Sequence, residues 1–133
     1  MAKSTKMKQG KAKKNDMGSW ALYEMQAEIC SALASPVRLQ ILDLVSQGEK
    51  TSSELLERLN IPKANLSQHI AVLCDVGILI RRKEGLFQYL TIGLPKIREA
   101  CALVKGILIE RVEQDEKRSA DLRRQLKTQR GVS

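Results

Sequence analysis

The sequence predicts a mainly α-helical fold carrying one small β-hairpin, an α+β arrangement in which two short helices meet at a tight turn just before the hairpin. Three observations predict it. Leu55, Leu56 and Leu59 repeat at three- and four-residue spacing, the mark of a short helix burying one side. Leu66, Ile70, Leu73 and Cys74 repeat in the same way, with Asn60 and Pro62 separating the two runs. Residues 77–92 then change to β-branched and aromatic side chains on either side of Glu84-Gly85.

In chain order, residues 1–17 come first and hold six lysines against one acid, Asp16. So little apolar surface cannot offset the entropy of ordering, and a disordered basic arm is expected. It would bind a nucleic-acid backbone, or serve only as a solubilising tail. Trp20 to Leu33 is a helix candidate, with Leu22, Met25, Ile29 and Leu33 spaced for one face. Trp20 at its start is read as packing. Ser35 caps the next helix and Pro36 takes its first turn. Val37, Leu39, Ile41, Leu42 and Val45 supply its apolar positions, and Gly48 closes it.

Thr51, with Glu54 three residues on, is a capping-box start for the third helix. Asn60 and Pro62 stop it, because proline lacks an amide hydrogen and disfavours helical geometry in the residue before it. Pro62 equally suits the first turn of the fourth helix, which Gly77 ends with a left-handed cap. This pair of helices is a helix-turn-helix. The N-terminal half of its second helix carries Lys63, Asn65, Ser67, Gln68 and His69. An α-helix fits the major groove of B-DNA with its N-terminal residues at the base edges, where Asn and Gln can grip adenine and Lys reaches guanine or phosphate. Ser52, at the start of the third helix, is counted with these DNA-contact candidates. An amphipathic helix with a solvated polar face is the plain alternative.

The hairpin that follows is expected to be two strands turning at Glu84-Gly85, with Arg81, Arg82 and Lys83 at its tip. Directly after a helix-turn-helix, such a cationic hairpin is a wing able to lie along phosphates or enter the minor groove. Beyond it, Gly93-Leu94-Pro95 starts a helix of about residues 95–128. Ile97, Cys101, Val104, Leu108 and Val112 form its apolar stripe. Past Ile109 the sequence turns to alternating charge.

The totals set bounds. A chain of 133 residues makes one domain plus tails. A formal net charge of +8 points to a polyanionic partner. With no apolar run near the ~18 residues of a membrane span and no signal-peptide core, a cytoplasmic protein is expected, its three cysteines reduced. Aromatics at 3% disfavour base-stacking recognition of single-stranded RNA. There is no glycine-rich phosphate loop, no zinc-protease helix, and only His69 to serve a hydrolytic triad. No enzyme is expected.

Leu33-Ala34-Ser35-Pro36-Val37-Arg38-Leu39-Gln40-Ile41-Leu42, then Leu66-Ser67-Gln68-His69-Ile70-Ala71-Val72-Leu73, then Gly77-Ile78-Leu79 and the Arg-rich hairpin ending in Tyr89 resemble the ArsR–SmtB family of small winged-helix repressors. The resemblance covers roughly residues 20–112. It implies a winged helix-turn-helix homodimer joined through the first and last helices, bound as an autorepressor to an operator on double-stranded DNA. Two recognition helices about one helical turn apart would make that operator an imperfect inverted repeat. The resemblance also implies release when a metal, a metalloid or a reactive sulfur or oxygen species binds. Arg38 lies in the matching motif, with a structural or phosphate-contact role. The organisation expected is a basic arm over 1–17, a DNA-binding and dimerisation domain over 18–112, and a charged helical extension over 113–133.

The cysteines bear on the signal. Cys30 falls on the first helix, Cys74 late in the fourth and Cys101 on the last, and none forms a CxxC pair. The family's cysteine-rich arsenical site on the third helix is absent, since Ser52-Ser53-Glu54-Leu55-Leu56-Glu57 has no thiol, and so is its carboxylate–histidine zinc site on the last helix. Family members that sense reactive sulfur carry cysteines near the positions of Asp43 and Ile109. What remains is Cys30 with Cys101, which the resemblance would bring close in a dimer. Two thiols suit a thiophilic metalloid such as As(III), as inducer and not as resident cofactor, or a disulfide or polysulfide switch. Free cysteine also packs as a small buried hydrophobe, which is the reading for Cys74. A second function stays open: a winged helix serving as an architectural or protein-interaction module that binds DNA without an inducer.

Overall fold

The computed structural model describes residues 17–129. Among these, the elements run α1 (Met17–Leu33), α2 (Pro36–Ser46), β1 (Lys50–Thr51), α3 (Ser52–Leu59), α4 (Lys63–Asp75), β2 (Leu79–Glu84), β3 (Phe87–Ile92) and α5 (Lys96–Gln129). They belong to two compact units, one reaching to Leu94 and the other starting at Pro95. The basic arm expected over 1–17 lies outside the described residues, apart from Met17, which opens α1.

In the first unit the chain turns by 86° between α1 and α2. Ser35 is extended at that corner, its hydroxyl accepts the backbone N–H of Arg38, and Pro36 takes the first turn of α2. The hydroxyl satisfies one amide that a helix start leaves open, and the proline, having no N–H, removes another. The capping box of α3 forms in full: Glu54 N–H donates to Thr51 Oγ1 at 3.1 Å and Thr51 N–H donates to Glu54 Oε1 at 2.8 Å. The Thr51 N–H, and after it the Thr51 hydroxyl, which donates to the same Oε1 at 3.1 Å, hold the Glu54 carboxyl below its ordinary pKa. Asn60 ends α3 in the left-handed region, with φ 53° and ψ 49°, a conformation Asn tolerates better than most residues.

Ile41, Leu42 and Val45 of α2, Leu55 of α3 and Leu66, Ile70 and Leu73 of α4 are buried together with Ile78, Leu79 and Leu90 around the sheet. Helices α2 and α3 pack on β3, and α4 packs on β2. Burying such a side chain is worth ~1.5–3 kcal/mol over leaving it exposed. Packing of this order, more than helix propensity, fixes where α4 sits.

The sheet has three antiparallel strands in the order β1-β3-β2, one more than the sequence predicts. The extra strand is two residues, Lys50 opposite Leu90 and Thr51 opposite Tyr89. Two residues are too few for any periodicity to show. At the base of the hairpin α4 closes with a Schellman motif: Ile78 N–H donates to Leu73 O and Gly77 N–H to Cys74 O, each at 3.0 Å. Gly77 has φ +82°, as its place after the helix predicts.

On α1, Leu22, Tyr23 and Met25 are exposed, and the Trp20 ring meets Tyr23 edge-on with centroids 6.4 Å apart. The second unit is α5, 34 residues long and close to the predicted bounds, which at 1.5 Å per residue spans roughly 50 Å. Leu103, Val104, Ile107, Leu108, Ile109 and Val112 stand exposed along it. Its later turns are charged and include an Asp121–Arg124 ion pair. Among the described residues no single helix is long and apolar enough to cross a membrane.

Candidate nucleic-acid interface

Pro62 sits just before α4, and its carbonyl accepts the N–H of Asn65 at 3.0 Å and of Leu66 at 3.1 Å. The proline thus starts the helix without needing an amide hydrogen of its own. Leu66, Ile70 and Leu73 are buried. That stripe turns Lys63, Asn65, Ser67 and Gln68 outward, and all four are exposed. Four of the five polar residues predicted as DNA contacts along the N-terminal half of the helix are therefore open to another molecule. Ser52, at the first position of α3, is half-buried.

His69, the fifth, is half-buried. Its Nδ1 lies 3.1 Å from Nη1 of Arg38. Arg38 also donates from Nε to the carbonyl of Ala32 at 2.6 Å and from Nη2 to that of Ser31 at 3.3 Å. Both carbonyls belong to the last turn of α1, where helical oxygens lack internal partners and a cation is favoured. One side chain thus joins the end of α1 to the middle of α4. Burial, and then the charge of Arg38, lower the pKa of His69. Sequence reasoning assigned Arg38 only a structural or phosphate role, because nothing in the spacing relates it to a residue 31 positions on.

The hairpin departs from expectation in one respect. Its turn is Gly85-Leu86, with Glu84 opposite Phe87 as the last pair and Gly85 at φ +62°. Arg81, Arg82 and Lys83 therefore lie along β2, opposite Leu90, Tyr89 and Gln88, and not at the tip. Neighbouring side chains on a strand face opposite ways, so Arg82 points away from Arg81 and Lys83. Arg82 is already engaged: it pairs with Glu49 at 3.1 Å and with Glu84 at 2.6 Å, and lies 4.5 Å over the Tyr89 ring. Its hydrogen bond with Glu49 is the main cause of its raised pKa. Strand β1 anchors the segment next to Glu49, through pairs with Leu90 and Tyr89 that lie far off in the sequence.

The comparisons with known proteins agree on this architecture. A helix-turn-helix domain family matches residues 33–82. An HTH-type transcriptional regulator of Mycobacterium tuberculosis, Rv0081, is 33% identical over 93 residues, covering 69% of this chain and 82% of that protein. Its crystal structure superposes with a TM-score of 0.64 over 71% of this chain and 95% of that one. The chain belongs to the ArsR–SmtB family of winged helix-turn-helix regulators.

A homodimeric winged helix-turn-helix DNA-binding domain from Mycobacterium bovis, described as a possible ArsR-family regulator, is 29% identical with a TM-score of 0.64, covering 74% of this chain and 89% of that one. A probable mercury resistance operon repressor of Streptomyces lividans is 32% identical over 79 residues, 59% of this chain and 63% of that protein. The family and fold are those of DNA-binding transcriptional regulators. In this ArsR–SmtB member the thiols belong to three different helices: Cys30 is exposed on α1, Cys74 half-buried on α4 and Cys101 half-buried on α5. Cys30 and Cys101 belong to different compact units. Among the described residues no group of three or more His, Cys, Asp or Glu side chains is placed to hold a metal ion.

Proposed function

We propose that this protein is a homodimeric, sequence-specific transcriptional repressor that reads an inverted-repeat operator with α4 and leaves it after thiol chemistry at Cys30 and Cys101. The observation that carries the DNA reading is the outward row of Lys63, Asn65, Ser67 and Gln68 on a helix whose opposite stripe is buried. Such a row can enter the major groove, where Asn and Gln grip adenine and Lys reaches guanine. Arg81 and Lys83 follow the backbone from the wing. The homodimeric Mycobacterium bovis domain supports two copies per operator. So do the apolar residues left exposed on α1 and on α5, which a second copy would cover. The Streptomyces lividans repressor supports repression as the regulatory sign.

The release step rests on chemistry. Peroxide would join two thiols as a disulfide, taking two electrons and two protons and leaving as two waters. As(III) would bind both sulfurs in place of two hydroxides, released as water with the thiol protons. The exposure of Cys30 gives such reagents access. The test is fluorescence anisotropy on a duplex selected by the protein from a random library. Reduced protein is compared with protein exposed to peroxide, polysulfide or As(III), alongside Cys30→Ser and Cys101→Ser. One treatment should weaken wild-type binding and either substitution should abolish that response. If wild type and both variants respond alike to every treatment, the cysteines are not the sensor.

A further inference from the structure

A guanidinium offers only donors. The 3.1 Å approach of Arg38 Nη1 to His69 Nδ1 is therefore a hydrogen bond only while Nδ1 carries no proton. An imidazolium, or the tautomer protonated at Nδ1, would set donor against donor. The position of Arg38 does not depend on His69. Its Nε and Nη2 are held by the Ala32 and Ser31 carbonyls, and its backbone N–H is held by Ser35 Oγ at 3.3 Å. Among the described residues Nε2 of His69 has no hydrogen-bond partner. The ring follows directly on Gln68, with Ser67 and Asn65 in the preceding turn, all three exposed. Burial and the neighbouring cation both oppose protonation, which favours a neutral ring.

We propose that Arg38 is a positioning residue for DNA reading: by donating to Nδ1 it holds His69 in the Nε2–H tautomer and so makes it a donor-only group on α4. An imidazole free in solution can donate or accept at either nitrogen. A locked one can only donate from Nε2. The matching group on DNA is an acceptor: guanine O6 or N7, adenine N7, thymine O4 or a phosphate oxygen. Because Arg38 takes its own bearings from the last turn of α1, the lock also ties the chemistry of the reading helix to the place where α1 ends. The inference rests on α4 being the DNA-reading helix.

His69 is the only histidine in the chain, so histidine labelled with nitrogen-15 gives one pair of ring signals in the full-length protein. At neutral pH and without DNA, Nδ1 should appear unprotonated and Nε2 protonated, and in Arg38→Gln and Arg38→Lys the two should move towards an average. Wild-type signals that show Nδ1–H, or an averaged ring, would overturn the lock, and this reading needs no variant to fold. In the second arm, a duplex selected by the protein and a scrambled duplex of equal length are bound by wild type, Arg38→Gln, His69→Phe and His69→Gln. Arg38→Gln and His69→Phe should each lose about tenfold on the selected duplex relative to the scrambled one. His69→Gln, whose amide can still donate, should lose less. Equal weakening of both duplexes by Arg38→Gln would make Arg38 a phosphate contact and sink the proposal. Equal weakening of both by His69→Phe, with Arg38→Gln still selective, would also sink it, because Arg38 would then act other than through the ring. A wild-type protein that binds both duplexes equally would instead remove the DNA-reading premise, whatever the ring shows.

Discussion

The backbone of Gly93 passes so close to Gly77 that a β-carbon on Gly93 would stand 2.5 Å from the Gly77 carbonyl oxygen and 2.9 Å from Cγ1 of Ile80. Gly93 N–H also donates to Ile78 O at 2.8 Å. The end of β3 is thereby clamped to the cap of α4, so the wing and α4 share one junction. Gly93→Ala should force the backbone apart and destabilise the protein by about 1–3 kcal/mol. Gly106, in the middle of α5 with open space around it, gives the contrast: Gly106→Ala should stabilise, by up to about 1 kcal/mol. Thermal melts of both variants check the opposite signs. A neutral Gly93→Ala would mean that the clamp is not rigid.

The wing cations should not contribute equally to DNA binding. Arg82 is held by Glu49, Glu84 and Tyr89, whereas Arg81 and Lys83 lie on the other face of β2. Arg81→Ala and Lys83→Ala should each reduce the slope of log affinity against log salt by about 1, the loss of one phosphate contact. Arg82→Ala should leave that slope nearly unchanged while lowering the melting temperature slightly. A full loss of slope in Arg82→Ala would show that phosphate displaces the two glutamates.

Acid should cost stability through His69. The folded pKa lies below the ordinary 6.5, first because of burial and then because of Arg38, the charged group that acts on the ring. Between the two values the unfolded chain binds more protons than the folded one. The stability contribution is therefore complete above the ordinary pKa and falls away as pH drops through it. Cooling of the melting temperature from about pH 8 to about pH 5 should be larger in wild type than in His69→Gln. Equal pH dependence in the two proteins would remove the histidine from the account.

Assembly should depend on the apolar rows of α1 and α5. Leu22 is 66% exposed, and Leu103 and Ile107 are 70% and 62% exposed. Leu22→Asp or Ile107→Asp should shift sedimentation towards a monomer without unfolding the helices, as circular dichroism would register. An unchanged mass for both variants would place the dimer face elsewhere.

Much of this was legible in the sequence because it is written locally. The capping box at Thr51 and Glu54, the Ser35-Pro36 helix start and the glycine after α4 each depend on neighbours within a few residues. The helix stripes follow from 3.6-residue periodicity, and the bounds of α5 from the Pro95 start. What the sequence misplaced depends on distant partners. Strand β1 exists only because Lys50 and Thr51 find Leu90 and Tyr89. The turn slipped by one residue, to Gly85-Leu86, because the register of β2 against β3 carries Glu84 into the last pair. That slip took the cations from the tip to the strand. The Arg38–His69 bond crosses 31 residues, and each partner on its own has an ordinary explanation.

Trp20 is the only tryptophan in the chain, and it lies half-exposed at the start of α1 with Tyr23 against its edge. The protein thus carries its own optical reporter. Because the indole sits on the helix whose apolar row stands uncovered, covering that row would move it into a drier, stiffer setting. Its emission would shift to the blue and its polarisation would rise as the chains associate. Dilution followed at a single emission wavelength would then give an association constant for the native, unlabelled protein, without an added dye to disturb α1.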